Sequence, residues 1–484
     1  MSVRGRRRPA RVSSSHSWTW RTRVTFLLVP VAGEDTGGTG PVVWQTGSVP
    51  AADPTTAAPT SVDRIVVHGG DPLSGRVRVG GAKNSALKLM AATLLAPGVH
   101  ELVRVPRITD VELMAEVLRS MGARVRWRDP DASLDDDRVL EIDMPATITP
   151  VAPYELVERF RASIVVLGPL LARCGEARVA LPGGDDFGPR PIDMHLRGLA
   201  ALGAEFDTSH GYVEGRAPNL VGSRVLLEFP SVGATENIVM AAVRAKGTTT
   251  IDNAAREPEI ADLCGMLNKM GARIEGAGSS TIVIEGVDEL GPVRHRVVPD
   301  RIEAATYLAA VGMAGGEIVV ADARLDHMDL LCQKLGEMGM RISADPDGLW
   351  AMANRRLRAV DCSTLPYPGI ATDYKPLIVT LLSTAEGVGI VTENLFAGRF
   401  RYVDELRRMG ADIRTEAHHA VVRGVERLSG APVRAHDIRA GAALVVAGLG
   451  AEGETVVADA HHVDRGYEDL VGKLAALGAR VERA

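Results

Sequence analysis

At 484 residues the chain is too long for one ordinary hydrophobic core, so two large domains are expected. Hydrophobic residues at 46% and charged residues at 24% are globular values, and a net charge of −6 supplies no bulk basic field for nucleic acid. Cys174, Cys264, Cys332 and Cys362 are scattered, with no CxxC pair and no zinc-type histidine spacing. They read as reduced thiols, which fits a cytoplasmic protein.

The first sixty residues differ from the rest. They hold seven arginines against Glu34, Asp35 and Asp53, a net of +4 that leaves −10 for the remainder. Val24 to Ala32 is apolar, interrupted by Pro30, and too short to span a bilayer. Residues 1–62 therefore read as a disordered N-terminal extension that ends in a linker rich in Gly, Pro, Thr and Ala.

From about Arg64 the chain repeats a unit. An amphipathic helical run closes on Leu/Met-Gly-Ala or a close variant at Gly122, Gly203, Gly271, Gly339, Gly410 and Gly478, at intervals of 81, 68, 68, 71 and 68 residues. A glycine just past a helical run is a left-handed C-cap, and the short alternating segments that follow are strands. Six such units make three per domain, and the class is α/β. No G-x-G-x-x-G follows a strand and no Walker sequence occurs, so dinucleotide and P-loop readings have no support.

Between the strand-like run Ala177 to Leu181 and the helical run Ile192 to Leu202 lies Leu181-Pro182-Gly183-Gly184-Asp185-Asp186-Phe187-Gly188-Pro189-Arg190. Three glycines and two prolines in ten residues fit neither helix nor ordinary strand. The segment reads as a long loop presenting two carboxylates and an arginine, as a mobile lid would.

Short motifs stand around it in order. Gly81-Ala82-Lys83-Asn84-Ser85-Ala86 comes first, then Arg161-Ala162-Ser163-Ile164, the loop, and Arg190-Pro191-Ile192-Asp193. Pro230-Ser231-Val232-Gly233-Ala234-Thr235, Arg256-Glu257-Pro258-Glu259 and Pro299-Asp300-Arg301-Ile302-Glu303 follow. Thr372-Asp373, Glu393-Asn394 through Arg399-Phe400, Asp437-Ile438-Arg439-Ala440 and Asp464-Arg465-Gly466-Tyr467 complete the set. In this register the chain resembles the enolpyruvyl transferases, in the branch of the UDP-N-acetylglucosamine 1-carboxyvinyltransferases that open peptidoglycan precursor synthesis. The resemblance implies a two-domain inside-out α/β barrel of six repeated units. One lobe would span 83–298 with its catalytic loop at 181–190, and the other 63–82 plus 299–484.

The implied reaction is attack of the sugar 3′-hydroxyl on C2 of phosphoenolpyruvate with protonation of C3, followed by loss of phosphate and of a C3 proton. By family position Lys83, Arg190 and Arg465 hold the phosphate, Arg399 and Arg439 hold the carboxylate side, and Arg161 is a further arginine of the cleft. Arginine suits planar oxyanions because its fork bonds bidentately, and Lys83 opens a helix whose N-terminus favours the same anion. Asn84 and Asp373 match positions beside the sugar. Asp373 is expected to be the base, although it also reads as an N-cap for a helix over Tyr374 to Ser383. Ser231, Val232 and Gly233 match the segment at the uridine diphosphate, and Leu395 a position near the nucleotide sugar. Most family members carry cysteine where Asp185 stands. Asp185 is expected to be the general acid, Asp186 its less favoured stand-in, and resistance to the cysteine-alkylating antibiotic fosfomycin follows. Tyr374-Lys375-Pro376 departs from the family's glutamine-bearing sequence and is expected to add a cation beside the sugar.

Neither metal nor cofactor is implied. The expected partners are the two substrates, with no nucleic acid, no membrane and no obligate protein partner. Two other readings stay open: a paralogue with a different acceptor, and a nucleotide-sugar sensor without catalysis.

Overall fold

The computed structural model describes residues 63–129, 138–158, 160–181, 183, 191–396 and 398–484, all within the one unit Pro59–Ala484. Their strands form six four-stranded sheets and one two-stranded sheet. The four-stranded sheets share one pattern. Arg224–Leu226 runs parallel to Thr248–Asp252, which pairs antiparallel with Thr281–Glu285, and that strand pairs antiparallel with Arg273–Glu275. All six repeat glycines take positive φ, from 91° at Gly410 to 110° at Gly271 and Gly339, so each turns its helix into the next strand in a conformation that L side chains disfavour. The α/β class and the six repeated units are those expected from the sequence.

Two strands are exchanged along the chain. Leu73–Arg78 pairs with Gly316–Ala321, whereas Arg294–Arg296 pairs with Gly98–Val103. The connections that follow them, through Gly81 and Pro299, cross as an antiparallel bridge. Ala82 donates to the Val298 carbonyl at 2.7 Å and Asp300 N to the Gly80 carbonyl at 3.0 Å. A Cβ at Gly81 would stand 2.0 Å from the Arg104 carbonyl oxygen, so only glycine fits the crossing. Buried apolar residues form two separate cores, one running from Ala86 to Val297 and the other joining Ile65–Val79 to Ile302–Ala479.

Each core is built around three inner helices. These are Lys83–Ala92, Leu167–Cys174 and Val232–Ala242 in one, and Arg301–Ala314, Lys375–Leu382 and Ile438–Leu449 in the other. Every residue of Ile438–Leu449 is buried, as expected of a helix that is apolar on all sides but for Arg439 at its start. The helix that Lys83 is expected to open runs over Lys83–Ala92 and continues into a 3-10 turn over Thr93–Leu95.

Candidate active site

The N-terminal ends of these helices converge. A cavity of about 560 Å³ is lined by Lys83 and Asn84, by Arg161, by Ser231, Val232 and Gly233, by Arg301, by Asp373, Leu395 and Arg399, and by Arg465. The sixth inner helix contributes Arg439, which lies behind this lining and reaches Asp373. Helix N-termini carry unpaired N–H groups and partial positive charge, so this convergence favours anions before any side chain is counted. Ser231 caps its helix by accepting from Ala234 N at 3.4 Å.

Two carboxylates organise the cations. Asp110 receives Lys83 Nζ at 2.9 Å and Arg465 Nε at 2.9 Å. Burial alone would raise its carboxyl, yet Lys83 and Arg465 hold it below the usual range. Burial pulls the Lys83 ammonium down, Asp110 opposes that shift, and nearby Arg439 and Arg465 add to it. Asp373 receives Arg399 Nη1 at 2.8 Å and Arg439 Nε at 3.4 Å. Burial would push this carboxyl up too, but the two guanidiniums hold it far below the ordinary carboxylate range. Arg439 Nη1 is buried without a hydrogen-bond partner and its guanidinium lies over the Tyr467 ring. An orphaned buried N–H of that kind is a place for an anionic acceptor.

Most of the expected site residues therefore meet on one cavity. Asp185, Asp186 and Arg190 lie outside the described residues. Two expectations are corrected. Asp373 is not an N-cap: Tyr374 occupies that position without a side-chain cap bond, and the Asp373 carboxylate faces the arginines instead. Lys375 adds no cation beside the sugar. It is fully buried, pairs with Glu393 at 2.9 Å and is absent from the cavity wall, because burial of a lysine at this helix start is offset only by an internal partner.

The geometry adds residues that pattern reading passed over. Asp110, in the first turn of Thr109–Ser120, gave the same signal as any acid placed to complement a helix dipole. His195 lines the cavity with its imidazole pushed down to about 4 by burial and by Arg161. Asn237 accepts from Gly168 N at 2.8 Å, so its amide nitrogen donates to His195 Nδ1 at 2.8 Å and leaves the ring proton on Nε2. Glu236, with neither carboxyl oxygen hydrogen-bonded, is pushed up to about 7 by burial, and Lys88 stands 3.6 Å away. Among the described residues no group of three or more His, Cys, Asp or Glu side chains is placed to hold a metal ion.

Comparison with known proteins agrees with this geometry. The family described as EPSP synthase (3-phosphoshikimate 1-carboxyvinyltransferase) matches residues 67–474. UDP-N-acetylglucosamine 1-carboxyvinyltransferase of Nocardia farcinica is 54% identical over 421 residues, covering 87% of this chain and 98% of the relative. The protein of the same name from Mycobacterium tuberculosis is 53% identical over 421 residues, with 87% and 99% covered. Among solved structures, the enolpyruvyl transferase NikO from Streptomyces tendae superposes with a TM-score of 0.77 at 27% identity, covering 87% of this chain and 99% of that one. An EPSP synthase from Acinetobacter baumannii, at 18% identity and a TM-score of 0.67, shares the fold.

Proposed function

The chain belongs to the EPSP synthase family of carboxyvinyltransferases, and from that premise we propose that it transfers the enolpyruvyl group of phosphoenolpyruvate to the 3′-hydroxyl of UDP-N-acetylglucosamine and releases phosphate. The observation that carries the reading is the pair of cationic poles at one cavity, Lys83 with Arg465 on its wall and Arg399 backed by Arg439. A donor with a phosphate at one end and a carboxylate at the other needs two such poles. The acceptor is drawn from the relatives, whose names specify UDP-N-acetylglucosamine at 52–54% identity for the two proteins above and that of Corynebacterium jeikeium.

In this reading Lys83, Arg190 and Arg465 hold the phosphate, and Arg399 and Arg439 the carboxylate. Arg161 flanks the same anions. Ser231, Val232 and Gly233 offer helix N–H groups to the diphosphate, while Asn84 and Leu395 meet the sugar. Asp373 takes the 3′-hydroxyl proton as the oxygen bonds to C2, and Asp185 delivers a proton to C3. Phosphate then leaves C2 as C3 gives up a proton. Paired with two arginines, Asp373 is too weak a base for this step. When the incoming carboxylate engages Arg399 and Arg439 it draws them away, and Asp373 gains basicity as the substrates assemble. Two lobes, 83–298 and 63–82 with 299–484, would close over the reactants, a division supported by the two separate cores. The work of such an enzyme is cytoplasmic and feeds cell-wall precursor synthesis; among the described residues no helix is long and apolar enough to cross a membrane.

The test is phosphate release from phosphoenolpyruvate. It is expected only when UDP-N-acetylglucosamine is present; release driven by shikimate 3-phosphate instead, or none with either acceptor, overturns the reading. Asp185→Ala should abolish turnover. Asp185→Cys should keep it and bring time-dependent inactivation by fosfomycin with a mass increment on the protein, whereas the unaltered enzyme should show neither.

A further inference from the structure

Lys375 is the first residue of the helix Lys375–Leu382, two positions after Asp373, and its side chain turns into the protein rather than into the cavity. Its ammonium is wholly buried, lies 2.9 Å from Glu393 Oε2, donates to the Arg399 carbonyl oxygen and stands 3.9 Å over the Phe400 ring. Glu393 is equally buried and is the hub of a loop. Its Oε1 accepts from Leu395 N at 2.8 Å, Phe396 N at 3.1 Å and Thr364 Oγ1 at 2.7 Å, and its Oε2 accepts from Thr372 Oγ1 at 2.7 Å. Thr372 Oγ1 accepts in turn from Arg399 Nη1 at 3.2 Å, and the same nitrogen donates to Asp373 at 2.8 Å. The bonds close a ring running from Lys375 through Glu393, Thr372 and Arg399 back to Lys375.

We propose that Lys375 is a positioning residue which ties Glu393 and the Arg399 backbone to the Thr372–Asp373 segment and so fixes the carboxylate clamp relative to the base. The proposal rests on the roles given above to Arg399 and Asp373. A lysine without exposure stays charged only where its partner is fixed, and removing one member of a buried pair leaves the other charge uncompensated. Here the uncompensated group would be Glu393, which anchors the amides of Leu395 and Phe396. The ammonium's bond to the Arg399 carbonyl oxygen would be lost as well, so Arg399 would lose its register even where glutamine at 393 keeps the two amides, although Lys375 touches no substrate. The nucleotide wall at Ser231–Gly233 is built on the other core and is not part of the ring.

The test compares Lys375→Met with the charge-balanced Lys375→Met/Glu393→Gln, in which glutamine keeps an acceptor for the two amides. Turnover of the unaltered enzyme is measured first; without UDP-N-acetylglucosamine-dependent phosphate release the functional reading fails, and the tie with it. Given that turnover, Lys375→Met is expected to lower kcat/KM for phosphoenolpyruvate on the order of 10- to 100-fold, the scale of a small misplacement of a clamp. The Kd of uridine diphosphate, read by calorimetry, should stay within about threefold, since its wall is untouched. The double variant should regain the thermal midpoint while its kcat/KM stays low. Activity that returns in step with the midpoint would make the pair merely structural and overturn the proposal. So would unaltered kinetics in either variant, or equal losses for both ligands. If Lys375→Met does not fold, the double variant decides.

Discussion

Asp110 and Asp373 are electrostatic twins with different access. Each carboxylate is held by two cations that stand near helix N-termini or in a following turn, and each is kept below its ordinary range despite burial. Yet the Asp110 side chain is 4% exposed and that of Asp373 is 24% exposed. Asp110, nearly closed to solvent, positions Lys83 and Arg465, while the more exposed Asp373 is open to a ligand that competes for its arginines. A depressed pKa alone therefore does not mark a catalytic group; access separates a brace from a base.

Replacing each carboxylate by its amide should pull these roles apart. Asp373→Asn removes the base and is expected to lower kcat about 10²- to 10⁴-fold, measured by phosphate release. Its thermal midpoint should fall less than that of Asp110→Asn, because Arg399 keeps Asp437 as a second carboxylate 3.8 Å away. Equal activity losses in the two variants would break the distinction.

Asp110→Asn leaves Lys83 and Arg465 without their shared counter-ion. A loss of about 3–5 kcal/mol in unfolding free energy is expected for a buried pair broken on one side, read by urea denaturation. The pH dependence should change as well. With its pKa held below 3.8 in the fold, Asp110 contributes stability that is fully present above that pH and is lost as pH falls below it toward the folded value. Asp110→Asn should therefore flatten the acid limb of the stability profile; an unchanged limb would show that the pair contributes nothing there.

The smallest effect sets the scale of damage unrelated to either clamp. Gly410 takes φ 91° and nothing lies within 4 Å of the place a Cβ would occupy, so only backbone strain opposes a methyl group. Gly410→Ala should cost about 1 kcal/mol of stability and leave kcat unchanged in the same assay.

Much of this was written in the order of residues. The six Leu/Met-Gly turns carry their periodicity openly, because a positive φ demands glycine and each helix needs a stop; all six glycines adopt it. The motifs around Lys83, Arg161, Ser231, Asp373, Arg399 and Arg465 were legible because anion recognition uses few residue types at helix starts, and those residues meet on one cavity. Three matters were decided only by tertiary structure. Arg294–Arg296 is three residues long and finds its partner at Glu101 to Val103, so no local pattern announces the strand exchange. Asp110 became a counter-ion through an arginine 355 positions away. Lys375 read as a cation near the sugar and proved to be an internal strut, since the direction of a side chain at a helix start is set by what packs against it. Local sequence fixes turns and helix ends through backbone sterics; the pairing and solvent access of charges depend on residues hundreds of positions apart, and only the folded chain brings those together.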